Sequence, residues 1–127
     1  MIELKLIQDN GIKAQLLEKM GIQASDAICY GAADKEEILG GTAFAIRDGR
    51  AVMLGLFTQP GLGAMLGDGL IRAAWNHCSS HGIKTARFSD EFPMESLQPL
   101  EFFRDFSHED IDIEKFFSER KKCGQTR

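Results

Sequence analysis

The fold is decided by residues 51–84, AVMLGLFTQPGLGAMLGDGLIRAAWNHCSSHGIK, where an apolar run leads through a glycine-rich turn into a helical pattern. The turn holds four glycines between residues 61 and 69. Apolar residues then recur every three or four positions, which predicts a helix over 66–80. Apolar runs on either side of this helix predict strands at 50–57 and 83–89. Because a helix connects them, we expect these two strands to lie parallel in one sheet.

The dipeptide Asp48-Gly49 lies between two apolar runs directly before this unit. Glycine tolerates the positive φ that a two-residue hairpin turn requires, so the pattern predicts antiparallel strands at 38–47 and 50–57. Earlier in the chain the patterns predict a strand, a helix and a strand, at residues 2–7, 12–20 and 26–33.

The chain beyond residue 89 is richer in aromatic residues. The pattern over residues 94–106 predicts a helix that Pro99 limits or divides, and residues 111–117 predict a last strand. The full order is β-α-β-β-β-α-β-α-β, which predicts an α+β domain with a mixed sheet and helices on its faces. We assign residues 1–118 to this single domain and residues 119–127 to a basic, solvated tail.

Composition restricts the class of protein. The chain has 127 residues and a net charge of −4, which argues against sequence-independent binding of nucleic acid. Its three cysteines are far apart in sequence, so they predict neither a disulfide framework nor a zinc site. No leader pattern and no apolar run of membrane-spanning length is present, so we expect a cytoplasmic protein without a membrane partner.

The glycine-rich turn before a helix is an arrangement that can hold an anion. The first N–H groups of a helix have no partner within it, and glycines allow an anion to approach them closely. The alternative is that the four glycines only permit a tight turn and close packing of the helix. Asp68 stands where a P-loop would have its lysine, which excludes that class of nucleotide site.

A dinucleotide site is a further alternative. Residues 61–67 have the pattern Gly-x-Gly-x-x-x-Gly, a loosened form of the dinucleotide fingerprint, and Asp90 follows the next strand at the distance expected of an acid that binds ribose. Gln59 and Pro60, however, separate the strand from the glycines, and that fold needs more parallel strands than this chain supplies. This alternative is therefore less favoured.

The order of elements resembles the GNAT superfamily of N-acetyltransferases, with one of its two usual early helices missing or short. The shared segments are LG at 66–67, LIRAA at 70–74 and HGIK at 81–84. The resemblance implies acetyl-coenzyme A as cofactor, a small-molecule or peptide amine as acceptor, and a loop that binds the pyrophosphate of coenzyme A. The loop residues that it implies are Leu62, Gly63, Ala64, Met65, Leu66, Gly67 and Asp68. It also implies that backbone N–H groups of Leu56, Phe57 and Thr58 polarise the thioester carbonyl.

Four positions depart from the family pattern. Leu62 stands at its Arg/Gln position, Met65 at its central glycine, and Asp68 adds a negative charge beside the expected pyrophosphate. Phe103 stands where many members have the tyrosine that protonates the leaving thiolate, and no catalytic residue is assigned. These departures favour the alternative of a non-catalytic module with the same fold that binds a ligand or a protein. An exposed part of the aromatic stretch at 91–106 could form a homodimer contact.

Three further side chains could carry chemistry, and for each a structural role is favoured. Tyr30 is expected to be a half-buried strand residue. His77 is expected to lie at the edge of the core, and Cys78 is expected to fill the core as a small apolar group.

Overall fold

The computed structural model describes the backbone of residues 2–125 and the side chains of residues 2–119. Six strands form one sheet in sequential order: β1 (Ile2–Leu6), β2 (Ile28–Asp34), β3 (Glu37–Arg47), β4 (Arg50–Thr58), β5 (Thr85–Phe88) and β6 (Ile111–Asp112). The helices are α1 (Asn10–Met20), α2 (Gly63–Ser80) and α3 (Ile113–Gln125), with a 3₁₀ turn at Met94–Leu97. All neighbouring strands are antiparallel except β4 and β5, which are parallel. The predicted mixed α+β fold is confirmed.

The β3–β4 hairpin forms where the sequence predicts it. Asp48 and Gly49 have φ values of 52° and 73°, and Arg47 pairs with Arg50 across the turn. Two consecutive positive φ values define the turn that matches the twist of the flanking strands. The hairpin therefore fixes the register of the two central strands.

The helix ends also follow from local chemistry. The side chain of Asp9 accepts a hydrogen bond from Ile12 N at 2.9 Å and caps α1, and Gly21 ends it in the left-handed conformation with φ 69°. α2 begins at Gly63, three residues before the predicted start at 66. Its first turn therefore includes part of the glycine-rich segment itself.

The two faces of the sheet carry different cores. On one face α2 packs Trp75 against an aromatic cluster in which the ring centroids of Phe103 and Phe116 lie 5.5 and 5.0 Å from that of Trp75. On the other face α1 packs Leu16 into a smaller cluster with Ile7, Cys29 and Ala43. Burial of apolar area of this order is the main stabilising term in a domain of this size.

The C-terminal quarter differs from two sequence predictions. Residues 94–106 form a 3₁₀ turn and successive turns instead of an α-helix. The predicted strand at 111–117 is a strand only at 111–112, and α3 begins at Ile113 because Asp112 Oδ1 accepts a hydrogen bond from Lys115 N at 3.0 Å and caps it. The backbone of α3 continues through residues 119–125 of the predicted tail, and residues 126–127 lie outside the described part of the chain.

Candidate functional site

β4 and β5 separate part of the way along β4. The parallel pairing extends to Met53 opposite Phe88, and Ser89 N then donates to Met53 O at 2.9 Å. Beyond this point β4 continues to Thr58 and pairs only with β3. The pairing stops because β5 ends at Phe88 while β4 runs on, and carboxyl ends of parallel strands are a common place for ligands.

An irregularity in β4 lies directly after its last pair with β5. Ala43 pairs with Gly55 and Phe44 with Met53, so Leu54 is an extra residue with no partner across β3. The hydroxyl of Thr42 donates to Gly55 O at 2.7 Å and is fully buried. A bulge anchored in this way re-aims the backbone that follows it. The predicted carbonyl-polarising residues 56–58 are this segment.

The loop between β4 and α2 is held by backbone hydrogen bonds. Gln59 N donates to Leu39 O at 2.9 Å, and Leu62 N donates to Gln59 O at 3.1 Å. Gly61 has φ 87°, a conformation that favours glycine. These contacts restrict the conformation of the loop and so fix where α2 begins.

The first turn of α2 has free donors. Its first intrahelical bond runs from Leu66 N to Leu62 O at 3.0 Å, and the Leu62 side chain makes no capping hydrogen bond. The N–H groups of Gly63, Ala64 and Met65 thus have no acceptor within the helix, and the positive end of the helix dipole lies beside them. This is the chemistry that holds a phosphate or another anion.

The hydroxyl of Thr58 is a further donor at this place. From the sequence, only the backbone N–H group of this residue was expected to take part. A Cβ atom on Gly63 would lie 3.2 Å from Thr58 Oγ1, so the hydroxyl is next to the start of α2. The Met65 side chain is 66% exposed and extends into solvent. The large residue at the position of the family's central glycine is therefore directed away from the core.

The packing around position 67 leaves little room for any side chain larger than that of glycine. A Cβ atom there would lie 3.0 and 3.2 Å from the two methyl carbons of Leu100 and 3.5 Å from Leu56 Cδ2. Leu100 is 2% exposed, so its side chain fills the space between the end of β4 and the second turn of α2. The sequence did not indicate this contact, because the residues are far apart along the chain and the segment at 94–106 is irregular.

Asp68 is the sixth residue of α2 and lies beyond its first turn. Its carboxylate accepts a hydrogen bond from Arg72 Nε. The Arg72 guanidinium also lies 5.3 Å from the ring centroid of Phe102 and 5.1 Å from that of Phe116. The negative charge that departs from the family pattern is thus partly compensated within the same helix.

Two of the remaining candidates are buried in the core. Phe103 packs against Trp75 and has no hydroxyl, so this position offers no proton donor. Burial raises the pKa of Cys78 to about 11, which keeps its thiol protonated at neutral pH.

Tyr30 and His77 meet each other, which the sequence did not reveal. Tyr30 Oη and His77 Nδ1 are 3.2 Å apart, and the His77 ring stacks on that of His81 with centroids 4.4 Å apart. Burial and then the neighbouring His81 lower the pKa of His77, and burial raises the pKa of Tyr30. This cluster is about 21 Å along α2 from Gly63, too far to act on a group bound at its first turn.

A cavity opens on the opposite face of the sheet, where α1 lies. It has a volume of about 380 Å³ and is lined by residues 20–24, Leu54, residues 89–91 and Pro93, with Arg47 at one end. It reaches the bulge of β4 from the side opposite α2. The two faces of the sheet at this bulge thus differ: apolar packing covers one, and a polar cavity lies on the other.

Neither a metal site nor a membrane-spanning helix is found among the described residues. Among residues 2–119 no group of three or more histidine, cysteine, aspartate or glutamate side chains is arranged to hold a metal ion. No helix in the described part of the chain has the length and apolar character needed to cross a membrane.

Comparisons with known proteins give likeness in structure alone. No family model matches the chain. No curated protein matches it either. Among solved structures, an IAA acetyltransferase from Bacillus cereus has a TM-score of 0.58 and 15% identity, over 69% of this chain and 65% of the other. The PaiA N-acetyltransferase from Thermoplasma acidophilum, in complex with coenzyme A, has a TM-score of 0.55 and 16% identity over 69% and 78%.

A Bacillus subtilis acetyltransferase in complex with coenzyme A has a TM-score of 0.56 and 15% identity, over 69% of this chain and 64% of the other. The match therefore takes in slightly less than two thirds of the Bacillus cereus and Bacillus subtilis chains. At these identities the likeness concerns the fold. The parallel pair in which β4 runs on beyond β5, the helix that starts beside the end of β4 and the common architecture of these structures lead to one conclusion: this chain has the fold of the GNAT family of acetyltransferases.

Proposed function

We propose that this chain is an acyl-coenzyme A-dependent N-acyltransferase, with acetyl-coenzyme A as donor and a small amine as acceptor. One observation carries the proposal. The free N–H groups at the start of α2 lie next to the end of β4, at the point where β4 has left β5. An anion site beside a strand with free backbone groups is what binding and activating an acyl thioester requires.

The residues present fit a pyrophosphate at the first turn of α2. The N–H groups of Gly63, Ala64 and Met65 would donate to its oxygens, and the Thr58 hydroxyl would add a side-chain donor. Asp68 opposes binding by its charge, and its pairing with Arg72 reduces that effect. We therefore retain residues 62–68 as the proposed pyrophosphate loop.

Catalysis in this site would depend on positioning. Acetyl-coenzyme A supplies a thioester whose carbonyl carbon the amine nitrogen attacks, so that an N–C bond forms, the C–S bond breaks and the amine proton goes to the thiolate. Of the three predicted donors to the carbonyl oxygen, Leu56 and Thr58 have N–H groups on the side of β4 away from β3. Phe57 N–H points toward β3, as the next one along on that side does, where Gln59 N donates to Leu39 O, so Leu56 and Thr58 are the proposed donors. Phe103 has no hydroxyl to protonate the thiolate, so the proton would travel through water.

The second candidate is a non-catalytic module with the same fold. The packing of Leu100 on Gly67 favours it, because Leu100 occupies space beside the proposed loop. Burial of Phe103 in the same segment removes the usual donor as well. In this candidate the cavity at Leu54 binds a ligand without any transfer reaction. The expected cytoplasmic location and the homodimer contact stay predictions for both candidates.

The proposed coenzyme site is tested by a calorimetric titration of the full chain with coenzyme A and acetyl-coenzyme A, with NADPH as a control. Under the proposal both coenzymes bind, NADPH does not, and Thr58→Val weakens binding about tenfold by removing a donor to a charged group. Thr85→Val on β5 makes the same chemical change away from the loop and should leave affinity unchanged. Absence of coenzyme binding, or equal affinity in Thr58→Val, would contradict the proposed loop.

A further inference from the structure

Three adjacent strands bring three arginines to one small cleft. Arg47 on β3 and Arg50 on β4 are partners across the hairpin, and Arg87 on β5 is paired with Val52 of β4. Together with Asp48, Ser89 and Asp90 they line a cavity of about 250 Å³. Sequence reasoning did not find this group, because the pairing of β4 with β5 brings residues far apart in the chain together.

The cleft lies on the face of the sheet opposite α2. Side chains alternate between faces along a strand, and Ala51, Ala86 and Phe88 are buried in the core beneath α2. Their neighbours Arg50 and Arg87 therefore lie on the other face. α1 packs on that face farther along, against the cluster around Leu16.

Two of the three arginines have well-formed partners outside the cleft. Arg47 donates two hydrogen bonds to the Asp26 carboxylate, each 2.9 Å long, and these hydrogen bonds lower the pKa of Asp26. Arg50 Nε lies 3.2 Å from Asp110 Oδ2. Neither acid lines the cavity, so both arginines are held at its rim.

Arg87 is different. One terminal nitrogen lies 3.4 Å from Asp90, whose side chain is 86% exposed, so the contact is long and solvated. Arg87 Nε is buried and has no hydrogen-bond partner among the described residues. Buried donors normally have an acceptor, and a guanidinium can present Nε and a terminal nitrogen together to one oxyanion.

A simpler explanation of the three arginines is that their long side chains cover a face of the sheet that no helix covers here. It accounts for Arg47 and Arg50, whose charges are paired and whose side chains are 44% and 43% exposed. It does not account for a buried, unpartnered donor on Arg87. The Arg87 side chain as a whole is 31% exposed and its terminal nitrogen makes only the long contact with Asp90, so an acceptor that enters the cleft meets the terminal N–H groups, and a shift of the side chain toward it gives Nε a partner as well.

We propose that this cleft binds the anionic group, a carboxylate or a phosphate, of a small ligand, with Arg87 as the main donor. The cleft shares Arg47, Ser89 and Asp90 with the larger cavity that reaches Leu54. A ligand anchored at Arg87 therefore extends toward the bulge of β4. The identity of this ligand as the acceptor rests on the proposed function: the acceptor is then an amine that also carries an acid.

The test is an NMR titration of the ¹⁵N-labelled full chain, first with inorganic phosphate and separately with succinate. Saturable shifts of the amides of Val52, Arg87 and Ser89 are expected. Arg87→Gln should raise the dissociation constant about tenfold, because a charge-assisted pair of hydrogen bonds is lost. Lys84→Gln removes an exposed positive charge three residues earlier and should leave it unchanged. Arg87→Lys, which keeps the charge and removes Nε, should bind with intermediate affinity.

The outcomes decide the proposal without reference to coenzyme A. Response to both probes indicates a general oxyanion site, and response to one identifies carboxylate or phosphate as the ligand group. No saturable shift up to about 20 mM of either probe overturns the proposal, since useful substrate sites bind more tightly. Equal affinity in Arg87→Gln, or shifts confined to residues 63–67, overturns it as well. Coenzyme binding is measured separately, so failure of the cleft and failure of the proposed loop are distinguishable.

Discussion

Replacing Gly67 with alanine tests the contact that separates the two candidate functions. The new Cβ would lie 3.0 Å from one methyl carbon of Leu100 and 3.2 Å from the other. Overpacking of this kind costs about 1–3 kcal/mol. The same change raises helix propensity by about 1 kcal/mol. Gly67→Ala should therefore lower the free energy of unfolding by about 0–2 kcal/mol.

The sign should reverse when Leu100 is shortened. Leu100→Ala alone removes a side chain that is 2% exposed and should cost about 2–5 kcal/mol. A domain stable by about 10 kcal/mol, the middle of the range for native proteins, remains folded after this loss. In that background the alanine at position 67 meets no crowding and adds about 1 kcal/mol of stability. The coupling between the two substitutions is then about 1–3 kcal/mol.

Urea unfolding followed by the fluorescence of Trp75 measures this cycle, because Trp75 is the chain's single tryptophan and is fully buried. Leu97→Ala is the matched control. It removes an equally buried leucine of the same segment that is not among the atoms nearest to Gly67. Stabilisation by Gly67→Ala of about 1 kcal/mol in both backgrounds, with no coupling, would refute the packing of Leu100 on Gly67.

Three further predictions concern single residues. Cys78, whose pKa burial raises to about 11, should resist alkylation by iodoacetamide at pH 8 in the native chain and react in urea; rapid native labelling of its peptide would contradict its burial. The lowered pKa of His77 means that the folded state binds its proton less readily than the unfolded state. Stability should therefore fall as pH drops below about 6.5, and His77→Gln should weaken this dependence; an unchanged pH profile would contradict it. Asp68→Asn should tighten coenzyme A binding, by less than about threefold because Arg72 already offsets the charge; unchanged or weaker binding would contradict residues 62–68 as the pyrophosphate loop.

The parts of the fold that sequence predicted well depend on local chemistry. Asp48-Gly49 allows one kind of hairpin turn, and Gly21 ends a helix whatever packs around it. The strand predicted at residues 111–117 was wrong beyond residue 112. Ile111 and Ile113, two residues apart, have the alternation of apolar residues that is typical of a strand. Ile113 and Phe116, three residues apart and both buried, have helical spacing, and Asp112 caps them. Over so short a segment the two periods overlap.

The candidate site was less predictable because its geometry is set by contacts between distant segments. The glycine-rich turn indicated free N–H groups at the start of α2, and the structure has them. The position of Thr58 next to Gly63, the packing of Leu100 on Gly67 and the cleft at Arg87 depend on how strands and loops meet. The spacing of apolar residues along the chain predicts helices and strands, but it does not predict contacts between distant segments.

The run of turns after β5 is the segment that bears most directly on whether the chain is an enzyme or a binding module. Leu100 and Phe103 belong to the same run of turns, in which Phe103 N donates to Leu100 O at 2.9 Å. The leucine fills space beside the proposed loop, and the phenylalanine stands at the position that the resemblance assigns to the usual proton donor. A transferase with this segment must protonate the thiolate through water. A binding module has no thiolate to protonate. Coenzyme affinity that rises in Leu100→Ala but not in Leu97→Ala would indicate that the coenzyme uses the space beside Gly67, and unchanged affinity in both would indicate that it stays at the first turn of α2.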